Sequence, residues 1–258
     1  MRLASLALLL TIALPLTAGA QTSGLNLSWD ECGSAGTCAK TFACNTNTGA
    51  NFELVGSFRP SGLLEVDAAD ITLDVWAESG AVPNWWKFYK AGSCRQTAVS
   101  AASTFPGLSN CVDPWQDVAS GGIVSYTSPY VGSSGRAQIG IQYSRPTSNR
   151  YTVTTGTEYY AFRLSITRAK TVGTGSCAGC FEPLGIVLSR VTLYRTAIPV
   201  RVQVLNTPVV LTTPGLQSNF VSWQNGGFQP AAGGAQLSCT AAVPVRNHTW
   251  GSIKALYR

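Results

Sequence analysis

Cys177-Ala178-Gly179-Cys180 has the spacing of a redox dithiol and of half a zinc site. Redox chemistry wants the first cysteine at a helix N-terminus after a strand, where its thiolate is stabilised. Here the pair falls between two alternating segments, 159–167 and 184–194. Zinc needs a second Cys or His pair at ligand spacing, and none is evident in the sequence. The expectation is a structural disulfide from Cys177 to Cys180, with no metal and no cofactor.

The acid and base inventory is thin. His248 is the only histidine, so any Ser-His-Asp or Cys-His nucleophile would have to use it. It lies in the tail beside a candidate helix start. No H-E-x-x-H, G-x-S-x-G or phosphate-binding loop is present. Glycosidase chemistry needs only two carboxyl groups about 5–10 Å apart. Asp67, Asp70, Asp74, Glu78, Asp113 and Asp117 are the candidates. The first four run along or just before one strand and are expected on its wet face. Asp30, Glu31 and Asp67 offer hard oxygens to calcium, but no EF-hand-like loop supports that. No catalytic residue is assigned.

Aromatic side chains supply the remaining binding chemistry. Trp85, Trp86, Phe88 and Tyr89 cluster, with Trp115 further on. In an extended chain Trp85 and Trp86 point to opposite faces, one into the core and one outward. An exposed indole stacks on a sugar ring or anchors a protein partner. Trp85, Trp86 and Trp115 are therefore the candidate ligand-binding residues, with core packing as the competing reading.

Strands must position these groups. Ile71, Leu73 and Val75 alternate with Thr72, Asp74 and Trp76; Ile139, Ile141 and Tyr143 alternate with Gly140, Gln142 and Ser144. Tyr160, Phe162, Leu164 and Ile166 alternate with Ala161, Arg163, Ser165 and Thr167. Each pattern buries one face of a strand. Further strands are predicted at 52–58, 123–127, 184–194, 200–205, 209–213 and 219–223. Many short strands without interleaved helical patterns predict an all-β antiparallel sandwich, jelly-roll or Ig-like. Only the end reads as helical: Trp250, Ile253 and Tyr257 share one helical face behind Thr249. The expected organisation is a signal peptide over 1–20, a sandwich over 21–246 and a short helix or tail over 247–258.

The export expectation rests on Arg2, an apolar run over 3–16 and the small-residue site Ala18-Gly19-Ala20, which predict cleavage before Gln21. All 8 cysteines follow that site, and oxidising compartments pair such cysteines. Cys94 with Cys111 would close a loop of about 17 residues and stabilise by roughly 3 kcal/mol. Cys32 with Cys44 is the preferred local pair among Cys32, Cys38, Cys44 and Cys239, whose connectivity the sequence leaves open. The net charge of +6 comes from scattered Lys and Arg without the basic stripe that nucleic-acid binding uses. Charged residues are 12% and hydrophobic residues 45%, which excludes disorder. No further apolar run is long enough to span a bilayer.

The segments Leu27-Ser28-Trp29-Asp30-Glu31-Cys32-Gly33, Phe42-Ala43-Cys44-Asn45-Thr46-Asn47, Asn84-Trp85-Trp86-Lys87-Phe88, Ser176-Cys177-Ala178-Gly179-Cys180 and Thr249-Trp250-Gly251-Ser252-Ile253-Lys254 resemble those of uncharacterised secreted bacterial β-rich proteins. The resemblance implies a bacterial exported protein of the periplasm or cell surface and carries no catalytic residue. The expected function is a non-catalytic module, structural at the surface or binding a glycan or protein. The competing expectation is a secreted carbohydrate-active hydrolase with paired carboxylates.

Overall fold

Alternation at 69–77 becomes the central strand of a seven-stranded sheet. The computed structural model describes residues 24–32, 36–89, 91–195, 200–206, 219–227 and 239. In chain order the strands are β1 (Gly24–Trp29), β2 (Ala39–Lys40), β3 (Phe52–Arg59), β4 (Leu64–Val66), β5 (Ala68–Ala77), β6 (Val99–Ala102) and β7 (Ser120–Thr127). They continue as β8 (Arg136–Ser144), β9 (Tyr151–Val153), β10 (Tyr159–Ile166), β11 (Leu184–Arg195), β12 (Val200–Asn206) and β13 (Phe220–Trp223). The predicted strand over 209–213 and the helical tail over 247–258 lie outside the described residues, as does the predicted signal peptide.

One sheet has the order β1-β3-β10-β6 and the other β2-β13-β11-β5-β8-β7, with β12 also on β11. Pairing is antiparallel except between β13 and β2. β4 and β9 form a separate ribbon. Leu54, Phe58, Phe162, Leu164 and Ile166 of the first sheet share one buried cluster with Ile71, Leu73, Val75, Ile139, Ile141 and Val191 of the second. The fold is a disulfide-reinforced β-sandwich. Register follows the alternation: Ile71 opposes Ile141 and Val191, and Leu73 opposes Ile139, so every inward side chain meets another.

The β10 pattern departs from expectation at one residue. The register against β3 steps between Tyr160 and Phe162, leaving Ala161 as an extra residue. The bulge turns Tyr160 away from the main core, into a satellite cluster with Cys32 and Val55 under Phe105 and Leu108. Tyr159 takes its place inward, stacked on Phe58.

All eight cysteines are oxidised, but not in the expected pairs. The bridges are Cys32–Cys111, Cys38–Cys239, Cys44–Cys180 and Cys94–Cys177, with Cα separations of 5.4–5.9 Å. Cys177 does not meet Cys180, Cys94 does not meet Cys111, and Cys32 does not meet Cys44. Gly179, at φ +101°, turns the backbone between Cys177 and Cys180, which bond to different segments. Sequence separations of 79 to 201 residues mean that the bridges tie together segments the sandwich has already gathered. No helix among the described residues is long and apolar enough to cross a membrane.

Candidate functional site

Trp85, Trp86 and Trp115 are not at the surface. Their exposures are 0%, 1% and 0%. The chain at Asn84–Trp86 is a 3-10 turn, not extended. Successive side chains in a 3-10 turn diverge by about 120°, so both neighbours can face inward. Both indoles pack on Trp223, at centroid distances of 5.0 and 5.1 Å, beside Phe42 and Phe52. Trp115 packs on Tyr143. Burial leaves none of the three indoles a face on which a sugar ring could stack. Their amphipathic rings serve the core instead, where Trp85 Nε1 donates to Thr171 Oγ1 and Trp115 Nε1 to the Ala161 carbonyl.

The carboxylates are mostly engaged in the fold. Asp67, expected on a wet face, is fully buried and pairs with Arg150 Nε at 3.1 Å. It is the single residue between β4 of the β4–β9 ribbon and β5 of the large sheet. Glu78 accepts the Gly227 N–H. Asp30 pairs with Lys40, and Glu31 accepts the N–H groups of Cys32 and Ser109. Glu158 collects Asn26, Ser57 and Arg59, and Asn26 is a buried strand residue. Glu31 lies beside Cys32 and Cys111, but both sulfurs are in the disulfide and hold no thiolate for a metal. His248 lies outside the described residues.

Asp113 and Asp117 do come together, lining a cleft of about 510 Å³ with Phe105, Pro106 and Leu108. Gln116 and Asp117 sit at φ +51° and +58°, which folds the loop over the Asp113 carboxyl. Asp113 Oδ1 accepts the Trp115 N–H at 2.7 Å. Burial holds this carboxyl above its ordinary value, against hydrogen bonds from the loop N–H groups, and the Asp117 charge pushes the same way as burial. Arg145, itself buried, clamps the loop by donating to the Pro114 carbonyl and to Gln116 Oε1.

A second concavity lies on the outer face of the seven-stranded sheet. It has a volume of about 560 Å³ and crosses β11, β5, β8 and β7. The wet-face parity of each strand places Tyr194, Asp70, Gln142 and Ser144 there. Asp70 opposes Gln142 across β5 and β8, and Gln142 opposes Gly122 on β7. Tyr194 Oη donates to Asp70 Oδ2 at 2.7 Å, which fixes both groups. The β7 wall is low at Gly121, which carries no side chain. A Cβ at Gly121 would lie 2.0 Å from the Gln142 carbonyl oxygen. Val124, 55% exposed, adds an apolar contact at the rim. Asp70 was visible in the sequence as a wet-face residue. Gln142 and Tyr194 have the same wet-face parity, and it is the β5–β8 and β11–β5 registers that bring them beside it.

Compared with protein-family models and with curated proteins, the chain matches none.

Proposed function

We propose that this protein is an exported, non-catalytic binding module whose ligand is a glycan held in the groove across β11, β5, β8 and β7. The observation that carries this is the row Tyr194–Asp70–Gln142 on a rigid, open sheet face. A carboxylate, an amide and a phenol supply the acceptors and donors that sugar hydroxyls need, and Val124 offers apolar contact to a ring face. Export is supported by the N-terminal Arg2, apolar run and Ala18-Gly19-Ala20 site together with four disulfides, which are typical of extracytoplasmic proteins. The proposal places the protein among secreted bacterial β-rich proteins.

The test is a screen of purified mature protein against envelope and extracellular polysaccharides. Gln142→Ala should weaken the best hit by about tenfold, the worth of one well-made polar contact pair. The melting temperature should be nearly unchanged. Unaltered affinity in Gln142→Ala and Asp70→Ala would remove the groove from consideration.

One observation favours the hydrolase alternative: Asp113 and Asp117 share a cleft. Glycan cleavage that Asp117→Asn abolishes would establish it. The engagement of Asp113 Oδ1 with the loop backbone supports a structural role over an acid–base one.

A further inference from the structure

Arg95 is a buried cation with no carboxylate partner among the described residues. It is 2% exposed. Its guanidinium lies 3.5 Å from the Trp85 ring centroid and donates to the Trp85 and Thr167 carbonyls. A buried charge normally requires an opposite charge, because carbonyls and ring faces replace only part of its hydration. Burial accordingly pulls the Arg95 pKa down to about 9.

Arg95 lines a cleft of about 300 Å³ at the Cys94–Cys177 bridge, with Ser93, Thr167 and Lys170. Nε of Arg95, Oγ of Ser93 and Oγ1 of Thr167 are all buried without a hydrogen-bond partner. Such orphaned donors are rare in folded proteins. Lys170 brings a second positive charge to the mouth, its Nζ held 2.8 Å from the Cys94 carbonyl. Among the described residues, no acidic one lines this cleft.

We propose that the cleft is an anion site that takes a sulfate, phosphate or carboxylate group between Arg95 and Lys170, with the hydroxyls of Ser93 and Thr167 as additional donors. The anion supplies the missing counter-charge, and a guanidinium whose Nε–H has no partner suits an oxyanion. The volume fits one such group, free or carried on an acidic sugar unit, and not a folded partner. The site is separate from the glycan groove, since none of its lining residues is shared.

The experiment uses the full mature chain. Sodium sulfate is titrated against sodium chloride at matched ionic strength. Two readouts are followed: the melting temperature and the Nε–Hε resonance of Arg95 in nitrogen-15-labelled protein. The expected result is a saturable rise in melting temperature with a matching shift of the Arg95 resonance. Lys170→Gln, at an exposed position, should raise the sulfate midpoint about tenfold by removing one charge-assisted contact. Ser93→Ala should raise it by less. A sulfated oligosaccharide and its unsulfated counterpart distinguish the sources. Shift and protection by the sulfated one show a group carried on a glycan; a response to inorganic sulfate alone shows a free ion. A non-saturating rise, a midpoint indifferent to Lys170→Gln or a stationary Arg95 resonance overturns the proposal. The two sites fail separately, because Lys170→Gln and Ser93→Ala leave the lining of the groove intact and Gln142→Ala leaves that of the cleft.

Discussion

The indole Nε1 of Trp115 donates to the carbonyl of Ala161 at 2.8 Å. Ala161 is the extra residue of the β10 bulge, the position that the ladder with β3 leaves out of register. The bulge therefore has its own donor, delivered by a loop more than forty residues away in sequence. That loop is in turn held by Arg145 through Pro114 and Gln116. Trp115→Phe removes the donor and part of the packing against Tyr143. It should cost about 2–4 kcal/mol, the sum of an orphaned carbonyl and a small cavity. Urea denaturation measures this; a loss below about 0.5 kcal/mol, the range of surface substitutions, would show that the bond is inert.

The same bulge shows where sequence reading stops. Alternation at Ile71, Leu73 and Val75 and at Ile139, Ile141 and Tyr143 gave the correct inward set, because the period of two is unbroken there. At Tyr160 the pattern continues in the sequence while the backbone slips by one residue, and hydrophobicity alone cannot register a slip between two apolar faces. Trp85 and Trp86 misled for a related reason: the expectation assumed extended backbone, and the 3-10 turn removed that assumption. The disulfides were illegible in pairing because each joins segments that only the finished sandwich brings within reach. The polar groove was half legible. Asp70 and Gln142 both had wet-face parity, but the β5–β8 register that aligns them had no local signal.

Peptide mapping of unreduced, alkylated protein should recover Cys94 linked to Cys177 and Cys44 linked to Cys180, with no peptide carrying an internal Cys177-to-Cys180 bond. Cys94→Ser together with Cys177→Ser should cost about 2–5 kcal/mol, as expected for a native bridge. Recovery of the local pair would contradict the arrangement around Gly179.

Gly56 faces Phe162 across β3 and β10. A Cβ there would lie 2.0 Å from the Phe162 ring. The ring covers the glycine and packs where a side chain would stand, so Gly56→Ala should destabilise by about 1–3 kcal/mol through overpacking. Shrinking the ring tests the cause. In the Phe162→Leu background the added methyl should cost measurably less, giving a non-zero coupling in the double-mutant cycle. Strict additivity would place the strain elsewhere.

Asp113 gives a pH-dependent prediction. Burial raises its pKa above the ordinary 3.8, opposed by the N–H groups of Trp115, Gln116 and Asp117 and reinforced by the Asp117 charge. A carboxyl that holds its proton more tightly folded than unfolded stabilises fully below pH 3.8, and that contribution is withdrawn as pH rises through the folded value. At neutral pH the ionised group therefore works against the fold. Asp113→Asn keeps an oxygen to accept the Trp115 N–H, now 2.7 Å from Oδ1, and removes the charge. Its melting temperature at neutral pH should equal or exceed that of the wild type, and the difference should shrink as pH falls toward 3.8. Asp113→Ala removes the acceptor as well and should melt lower at every pH. Thermal melts of the three proteins between about pH 3 and 7, spanning the carboxyl titration, decide the matter. If Asp113→Asn melts as low as Asp113→Ala at neutral pH, the negative charge itself holds the loop, and the loop N–H groups outweigh burial at this carboxyl.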